Sequence, residues 1–117
     1  MIYWTVCGLH GIIEKGIILR EEKVSLMRMK VSDYIAQKLV DEGITDAFMV
    51  TGGGAMHLDD GLGHQPGLHC YFNHHEQACA IAAEAYARIH NKIAALCVTT
   101  GPGGTNAITG VVGGWLD

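Results

Sequence analysis

The fold is decided by residues 73–88, which read NHHEQACAIAAEAYAR. This stretch begins where a predicted strand ends and continues as an alanine-rich helix, with one carboxylate, Glu76, at the junction. A helical projection at about 100° per residue places Glu76 beside Cys79 and Ala83. The other charged residues of the helix cluster on a different side. We therefore predict that Glu76 lies on the apolar side of the helix. Burying a carboxylate there is costly unless it has a partner or a function.

Two interpretations of Glu76 follow from the pattern. An acidic residue in the first turn of a helix complements the helix macrodipole and stabilises the helix modestly. Alternatively, the carboxylate is held in a semi-apolar site in order to exchange a proton with a ligand. The residues of the helix alone leave both interpretations open.

Strands and helices alternate along the organised part of the chain. Ser32 is placed to cap the first helix, and Gly43 is placed to end it. Alternation with short connections is typical of the α/β class, so we predict a parallel sheet with flanking helices and right-handed crossovers. The predicted elements are a helix at 32–42, strand 47–50, helix 56–62, strand 68–72, a helix to about 90, strand 94–99, and a helix from near Asn106 that is still running at Asp117.

Three loops follow the three predicted strands, at 51–54, 73–76 and 100–106. Ligands of parallel α/β sheets gather at the carboxyl ends of the strands, so these loops form one candidate site. The first loop lacks the GxGxxG dinucleotide fingerprint, and the chain contains no GxxxxGK[ST] phosphate loop, so a nucleotide site is not predicted. The third loop, TGPGGTN, either offers backbone amides to an anion or is a tight turn capped by Thr105 or Asn106.

The composition limits which classes of protein this chain can belong to. The chain has 117 residues, enough for at most one domain, and is 49% hydrophobic and 17% charged. A net charge of −4 provides no basic surface for nucleic acid. Four cysteines without CxxC spacing indicate a reducing compartment, and seven histidines without a shared helical face do not predict a metal site. With neither a signal peptide nor a membrane span in the pattern, we expect a cytoplasmic protein.

Residues 1–28 differ from residues 29–117, because they lack sustained periodicity. We interpret 1–28 as a leader or a mis-assigned start, with translation beginning at Met27 or Met29; a genuine extension is the alternative. The predicted sheet has only three strands, and its last helix would leave apolar faces uncovered at Asp117, so we expect residues 29–117 to be the N-terminal part of a larger domain.

The organised chain resembles the N-terminal, pyrimidine-binding domain of thiamine diphosphate-dependent enzymes of the acetolactate synthase-like group. The residues that carry the resemblance are HEQ at 75–77, AAEAYAR at 82–88, and TGPGGTN at 100–106 followed by Thr109-Gly110. It extends over about residues 29–117 and implies an incomplete α/β domain of that type.

The resemblance also implies roles for individual residues. Glu76 would be catalytic, contacting N1′ of the cofactor's aminopyrimidine and sharing a proton with it. The remaining residues implied on the cofactor side are Gly52, Gly53, Gly101, Pro102, Gly103 and Asn106.

The rest of the enzyme is implied to lie outside this chain. The family binds the diphosphate and Mg²⁺ through a separate domain, so no metal ligand is assigned here, and FAD in the full-length protein is compatible with the resemblance. The implied substrate is a 2-keto acid such as pyruvate, the implied assembly is a homodimer or homotetramer, and neither nucleic acid nor a membrane is an expected partner. The alternative is a truncated, non-catalytic product that associates with an intact relative.

Overall fold

The computed structural model describes residues 2–3 and 28–116 of the chain. Apart from Ile2, Tyr3 and Arg28, the predicted leader 1–28 lies outside the described residues, as does Asp117. The elements are β1 Ile2–Tyr3, α1 Val31–Asp41, β2 Asp46–Met49, α2 Met56–His64, β3 His69–Phe72, α3 Glu76–His90, β4 Ala95–Cys97 and α4 Pro102–Leu116.

The strands form one sheet in the order β1-β4-β2-β3. Strands β4, β2 and β3 are parallel, which confirms the predicted parallel α/β architecture, and β1 pairs antiparallel with the outer side of β4. Strand β2 lies in the centre of the parallel part, with Phe48 beside Leu96 on one side and beside Tyr71 on the other. The carboxyl ends of all three parallel strands therefore meet at the same edge of the sheet.

Two apolar layers cover the two faces of the sheet. Because side chains alternate along a strand, Ala47 and Met49 of β2 face α1 and α2, whereas Phe48 faces α3 and α4. The layer under α3 and α4 is built largely from small residues, including Ala80, Ala83 and Ala107. Small residues let these two helices lie close to the sheet and to each other, and these are the helices that carry the candidate site.

The first helix begins one residue earlier than predicted, and Ser32 is not its cap. Lys30 occupies the N-cap position and makes no side-chain cap hydrogen bond. Ser32 instead lies where α2 crosses α1: a Cβ added at Gly61 would come within 2.9 Å of the Ser32 carbonyl carbon and oxygen. The end of the helix at Gly43, which has a φ of +81°, agrees with the prediction.

The last helix also begins earlier than predicted, at Pro102 rather than near Asn106. Proline fits the first helical position, because its fixed φ suits the helix and its missing N–H would be unpaired there in any case. Gly101, with a φ of +68°, makes the sharp turn out of β4 possible. Asn106 consequently lies in the second turn of α4, where its side chain does not cap the helix.

Within residues 28–116, no helix is both long enough and apolar enough to span a membrane.

Candidate functional site

The candidate site lies at the carboxyl ends of β2, β3 and β4, where the three predicted loops meet. The loop after β4 contacts the loop after β2 through a hydrogen bond from the Gly54 backbone N–H to Thr99 Oγ1, at 3.2 Å. Helix α4, which follows this loop, contacts the start of α3 through a hydrogen bond from Asn106 Nδ2 to Glu76 Oε2, at 3.1 Å. The sheet edge thus brings together residues that are 45 and 30 positions apart in the chain.

Glu76 is the first residue of α3, and His75 before it is the N-cap. The Nδ1 atom of His75 accepts a hydrogen bond from the Gln77 backbone N–H at 3.1 Å, which fixes the direction in which the helix begins. Glu76 is partly exposed, while Cys79, one turn later, is fully buried. Glu76, predicted on the apolar side of the helix, thus lies between the buried side of α3 and solvent.

The two oxygens of the Glu76 carboxylate differ in their surroundings. Oε2 accepts the hydrogen bond from Asn106. Oε1 lies beside Gly103, where an added Cβ would be 3.4 Å away. Because residue 103 has no side chain, the Thr99 methyl group can pack against Gly103 on this side of the carboxylate.

The pKa of Glu76 is lowered from its ordinary value, mainly by the Asn106 hydrogen bond, with a smaller contribution from the backbone at the helix start. Both interactions favour the charged form. Since the folded-state pKa is depressed, the associated stabilisation is present above the unfolded-state pKa and is lost as the pH falls through the folded-state pKa. Glu76 is therefore an ionised, accepting carboxylate at neutral pH.

Thr99 holds the two glycine-containing loops together, and sequence reasoning missed it. Added Cβ atoms at Gly52 and Gly103 would come within 2.5 Å and 2.8 Å of the Thr99 side chain. Thr99 therefore fills the space that a side chain at either glycine would need, while its hydroxyl accepts from the Gly54 N–H. The only signal in the sequence was a β-branched polar residue at the end of a buried strand, between two glycine loops.

Asp59 of α2 is the second residue that sequence reasoning missed. Its Oδ2 accepts a hydrogen bond from the Gly52 backbone N–H at 3.2 Å, and its Oδ1 accepts one from Cys97 Sγ at 3.5 Å. Asp59 thus ties the loop after β2 to the end of β4. Burial, followed by the charge of Asp59, raises the pKa of the Cys97 thiol to about 12, so this cysteine is a neutral, unreactive thiol.

The predicted cofactor-side residues divide into two groups. Gly52, Gly103 and Asn106 lie together with Glu76 around Thr99. Gly53 and Gly101 belong to the same loops, but added Cβ atoms there would meet no atom within 4 Å, and Pro102 is the first residue of α4. Among the described residues, no three His, Cys, Asp or Glu side chains are grouped so that they could hold a metal ion.

Replacing Asn106 with alanine is expected to raise the pKa of Glu76 towards its ordinary value, because the largest cause of the shift is removed. A side-chain ¹³C NMR titration of Glu76 in the chain itself measures this without any ligand. The matched control is T105A: Thr105 is the neighbouring residue, and its hydroxyl donates to the Pro102 carbonyl rather than to Glu76. Equal Glu76 titration curves for N106A and the unmodified protein would contradict the assignment.

Comparison with known proteins decides the family. Residues 29–117 match the family described as thiamine pyrophosphate enzyme, N-terminal TPP binding domain; thiamine pyrophosphate is another name for thiamine diphosphate. The chain belongs to this family. Its N-terminal TPP-binding domain is an α/β domain, and the four helices and three parallel strands described above form an incomplete version of it.

Similar curated proteins are acetolactate synthases. The chain is 34% identical to the large subunit from Haemophilus influenzae over 79% of its own length, 33% identical to the isozyme 3 large subunit from Escherichia coli over 74%, and 34% identical to the chloroplastic acetolactate synthase 2 of Zea mays over 75%. The matched region is 16%, 15% and 14% of those proteins, respectively. The chain therefore spans about one sixth of the length of these relatives.

Proposed function

We propose that this chain is part of a thiamine diphosphate-dependent enzyme that acts on a 2-keto acid, as an acetolactate synthase-like carboligase or decarboxylase, with Glu76 activating the aminopyrimidine of the cofactor. The observation that carries the proposal is the Glu76 carboxylate itself, at the carboxyl ends of the parallel strands, with Oε2 held by Asn106 and Oε1 beside Gly103. The family and the acetolactate synthase relatives support the reaction class.

The residues present fit an aminopyrimidine ring. A protonated ring nitrogen needs one hydrogen-bond acceptor at the carboxyl ends of the strands. Glu76 Oε1 is such an acceptor, because Asn106 binds only the other oxygen, Oε2. A side chain at residue 103 would clash with the Thr99 methyl group and crowd Oε1. The glycines of the loop after β2 carry no side chains that could cover the carboxyl ends of the strands. Asp59 and Thr99 fix that loop from both sides.

In this proposal, the bound cofactor supplies the electron sink for cleavage next to a carbonyl group. The task of the chain is to hold and move one proton at Glu76 Oε1. Asn106 lowers the pKa of the carboxylate and orients it, so that it would accept a hydrogen bond from a protonated ring nitrogen and share that proton. Glutamine at the same position would accept a hydrogen bond but could not take up the proton.

The remaining parts of the proposed enzyme are assigned to regions beyond this chain. A separate domain would hold the diphosphate and Mg²⁺, and FAD is compatible with the full-length protein. We propose a homodimer or homotetramer acting on a small 2-keto acid in the cytoplasm, with neither nucleic acid nor membrane as a partner.

The experiment that tests the proposal is a calorimetric titration of thiamine diphosphate and Mg²⁺ into the protein purified from its native cells, after mass spectrometry of the intact chain. We expect a mass several times 12.6 kDa and saturable binding. Thiamine, which carries the aminopyrimidine without the diphosphate, is the matched ligand control and should bind much more weakly. A native mass near 12.6 kDa with no binding would contradict the proposal and support the non-catalytic alternative.

A further inference from the structure

His75 supplies the first turn of α3 with two hydrogen-bond acceptors. Its ring atom Nδ1 accepts from the Gln77 backbone N–H at 3.1 Å, and its backbone carbonyl accepts from the Cys79 backbone N–H at 3.0 Å. The first N–H groups of a helix have no partner inside the helix, so an N-cap side chain of this kind determines where the helix begins. The next residue, Glu76, is the first residue of that helix.

The cap at His75 differs from an ordinary N-cap because its acceptor is a ring nitrogen. Serine, threonine, asparagine and aspartate, the usual capping residues, accept through an oxygen. An imidazole nitrogen accepts only while it carries no proton, so the observed bond requires a neutral His75 with its proton on Nε2. A protonated imidazole has two N–H donors and no acceptor. A single proton therefore removes this cap.

No other acceptor replaces the ring nitrogen in the part of the chain that the structure describes. Asn73 is the only residue of the turn 73–75 with a side-chain oxygen, and that oxygen, Oδ1, is buried without a hydrogen-bond partner. The Glu76 carboxylate is bonded to Asn106 of α4 instead. Loss of the His75 bond thus leaves the Gln77 N–H without a partner at the start of the helix.

A proton on His75 also adds a positive charge at the end of α3 where the helix macrodipole disfavours one. The elements packed against α3 do not compensate for this charge. Helix α4, Pro102–Leu116, contains no ionisable side chain, β4 contributes one neutral thiol, and Asp46 of β2 bonds to the second half of α3 rather than to its start. His74 is the other titratable residue of the turn. The carboxylate that interacts with the His75 charge is that of Glu76.

We propose that His75 is a positioning residue for Glu76, and that only its neutral, capping form holds the carboxylate in place for the cofactor. In the neutral form the first turn of α3 is closed and Glu76 Oε2 reaches Asn106. In the protonated form the first turn opens and Glu76 is drawn towards the imidazolium. The part of this proposal that concerns the cofactor rests on the proposed function, whereas the part that concerns the helix cap does not.

The titration of His75 is separable from that of Glu76. The hydrogen bond from Asn106 lowers the pKa of Glu76 from its ordinary value, so the carboxylate stays ionised over about pH 5–8, the range in which imidazoles usually titrate. A change at the start of α3 within this range therefore reports a histidine and not the carboxylate.

The helix cap is tested by an NMR titration of the whole ¹⁵N- and ¹³C-labelled chain without cofactor, from about pH 8 to pH 5. We expect the Gln77 amide resonance and the Glu76 carboxyl resonance to shift with the same midpoint. H75N should abolish both shifts, because asparagine caps through an oxygen and does not titrate. H74N is the matched control: His74 is an exposed neighbour that does not cap the helix, so this variant should titrate like the unmodified chain. Constant resonances in the unmodified chain, or equal shifts in H75N, would overturn the proposal.

The effect on the cofactor is measured by calorimetric titration of thiamine diphosphate and Mg²⁺ into the native protein at both ends of this pH range. On acidification we expect the dissociation constant of the unmodified protein to rise about three- to tenfold more than that of H75N, the range that a lost N-cap implies. Comparison with H75N removes the effect of pH on the ligand itself. Equal pH dependence of the two proteins would refute the positioning role. If neither protein binds at any pH while the NMR result holds, the proposed function fails and the titratable cap stands.

Discussion

The E76Q variant of the native protein is expected to turn over a 2-keto acid roughly 10²- to 10⁴-fold more slowly than the unmodified protein, which is the usual range for losing a positioned proton-transfer group. Glutamine keeps the shape of the side chain and can still accept the hydrogen bond from Asn106 Nδ2. It cannot carry a proton at neutral pH. The measurement is steady-state turnover at saturating cofactor, together with a far-UV circular dichroism spectrum, which we expect to be unchanged.

The matched control for E76Q is E84Q. Glu84 lies two turns further along α3 and makes an ion pair with Arg88 at 2.7 Å, so the substitution removes the same charge from the same helix, away from the candidate site. We expect E84Q to keep near-normal turnover. If E76Q also keeps near-normal turnover, Glu76 is not the proton-sharing group, and the helix-dipole interpretation of its position is the correct one.

The G110A variant is expected to lower the free energy of unfolding by roughly 1–3 kcal/mol, the usual cost of overpacking a well-packed site. Gly110 is buried where α4 crosses α3, and an added Cβ would come within 2.5 Å of the Ala80 Cβ and 2.9 Å of the Ile81 backbone nitrogen. The backbone of α3 at Ile81 cannot move aside as the flexible end of a long side chain can. The higher helix propensity of alanine, worth about 1 kcal/mol, opposes the loss without cancelling it.

Urea-induced unfolding followed by circular dichroism measures this difference. The matched control is G113A, one turn further along α4, where an added Cβ would lie in ordinary contact, 3.4 Å from Glu84 Oε2. We expect G113A to be neutral or to stabilise by about 0.5–1 kcal/mol. Equal unfolding midpoints for G110A and G113A would show that the two helices are not packed as closely as described.

We also expect the G110A substitution to change the geometry of the candidate site. Helix α3 carries Glu76 and helix α4 carries Asn106, so the distance between the two helices sets the length of the hydrogen bond between them. If G110A forces the helices apart, we expect the pKa of Glu76 to move upwards, in the same direction as in N106A. The contact between Ala80 and Gly110 would then influence the pKa of a carboxylate one helical turn away.

The sequence allowed much of the fold to be predicted, because its cues are local. Alternating apolar segments, the glycine at position 43 and the run that starts at Glu76 each depend on neighbours in the chain. The predicted helix boundaries were wrong where another helix packs against the helix start, and where a second local cue was present. Ser32 is a good capping residue, but the approach of α2 at Gly61 placed it inside the helix, and Pro102 could begin α4 four residues before Asn106.

The candidate site could be predicted only in part, because its geometry depends on contacts between distant segments. Glu76 was recognisable from its place at a strand-to-helix junction. The roles of Thr99 and Asp59 were not, since a threonine at a strand end and an aspartate in a helix are common and solvated in most proteins. Their contacts with Gly52 arise because β4 and α2 both lie beside the end of β2, which no local sequence pattern records.

The position of Thr99 has an evolutionary consequence. One side chain occupies the space that residues 52 and 103 would otherwise need, so the three positions share a single fixed volume. We expect them to vary as a set among the proteins that share this domain: a smaller residue at position 99 frees room for alanine at 52 or 103, and a larger one forbids any change at either glycine. Mutational paths that enlarge a loop glycine before shrinking Thr99 would pass through a clash, so the order of the substitutions is constrained as well as their identity.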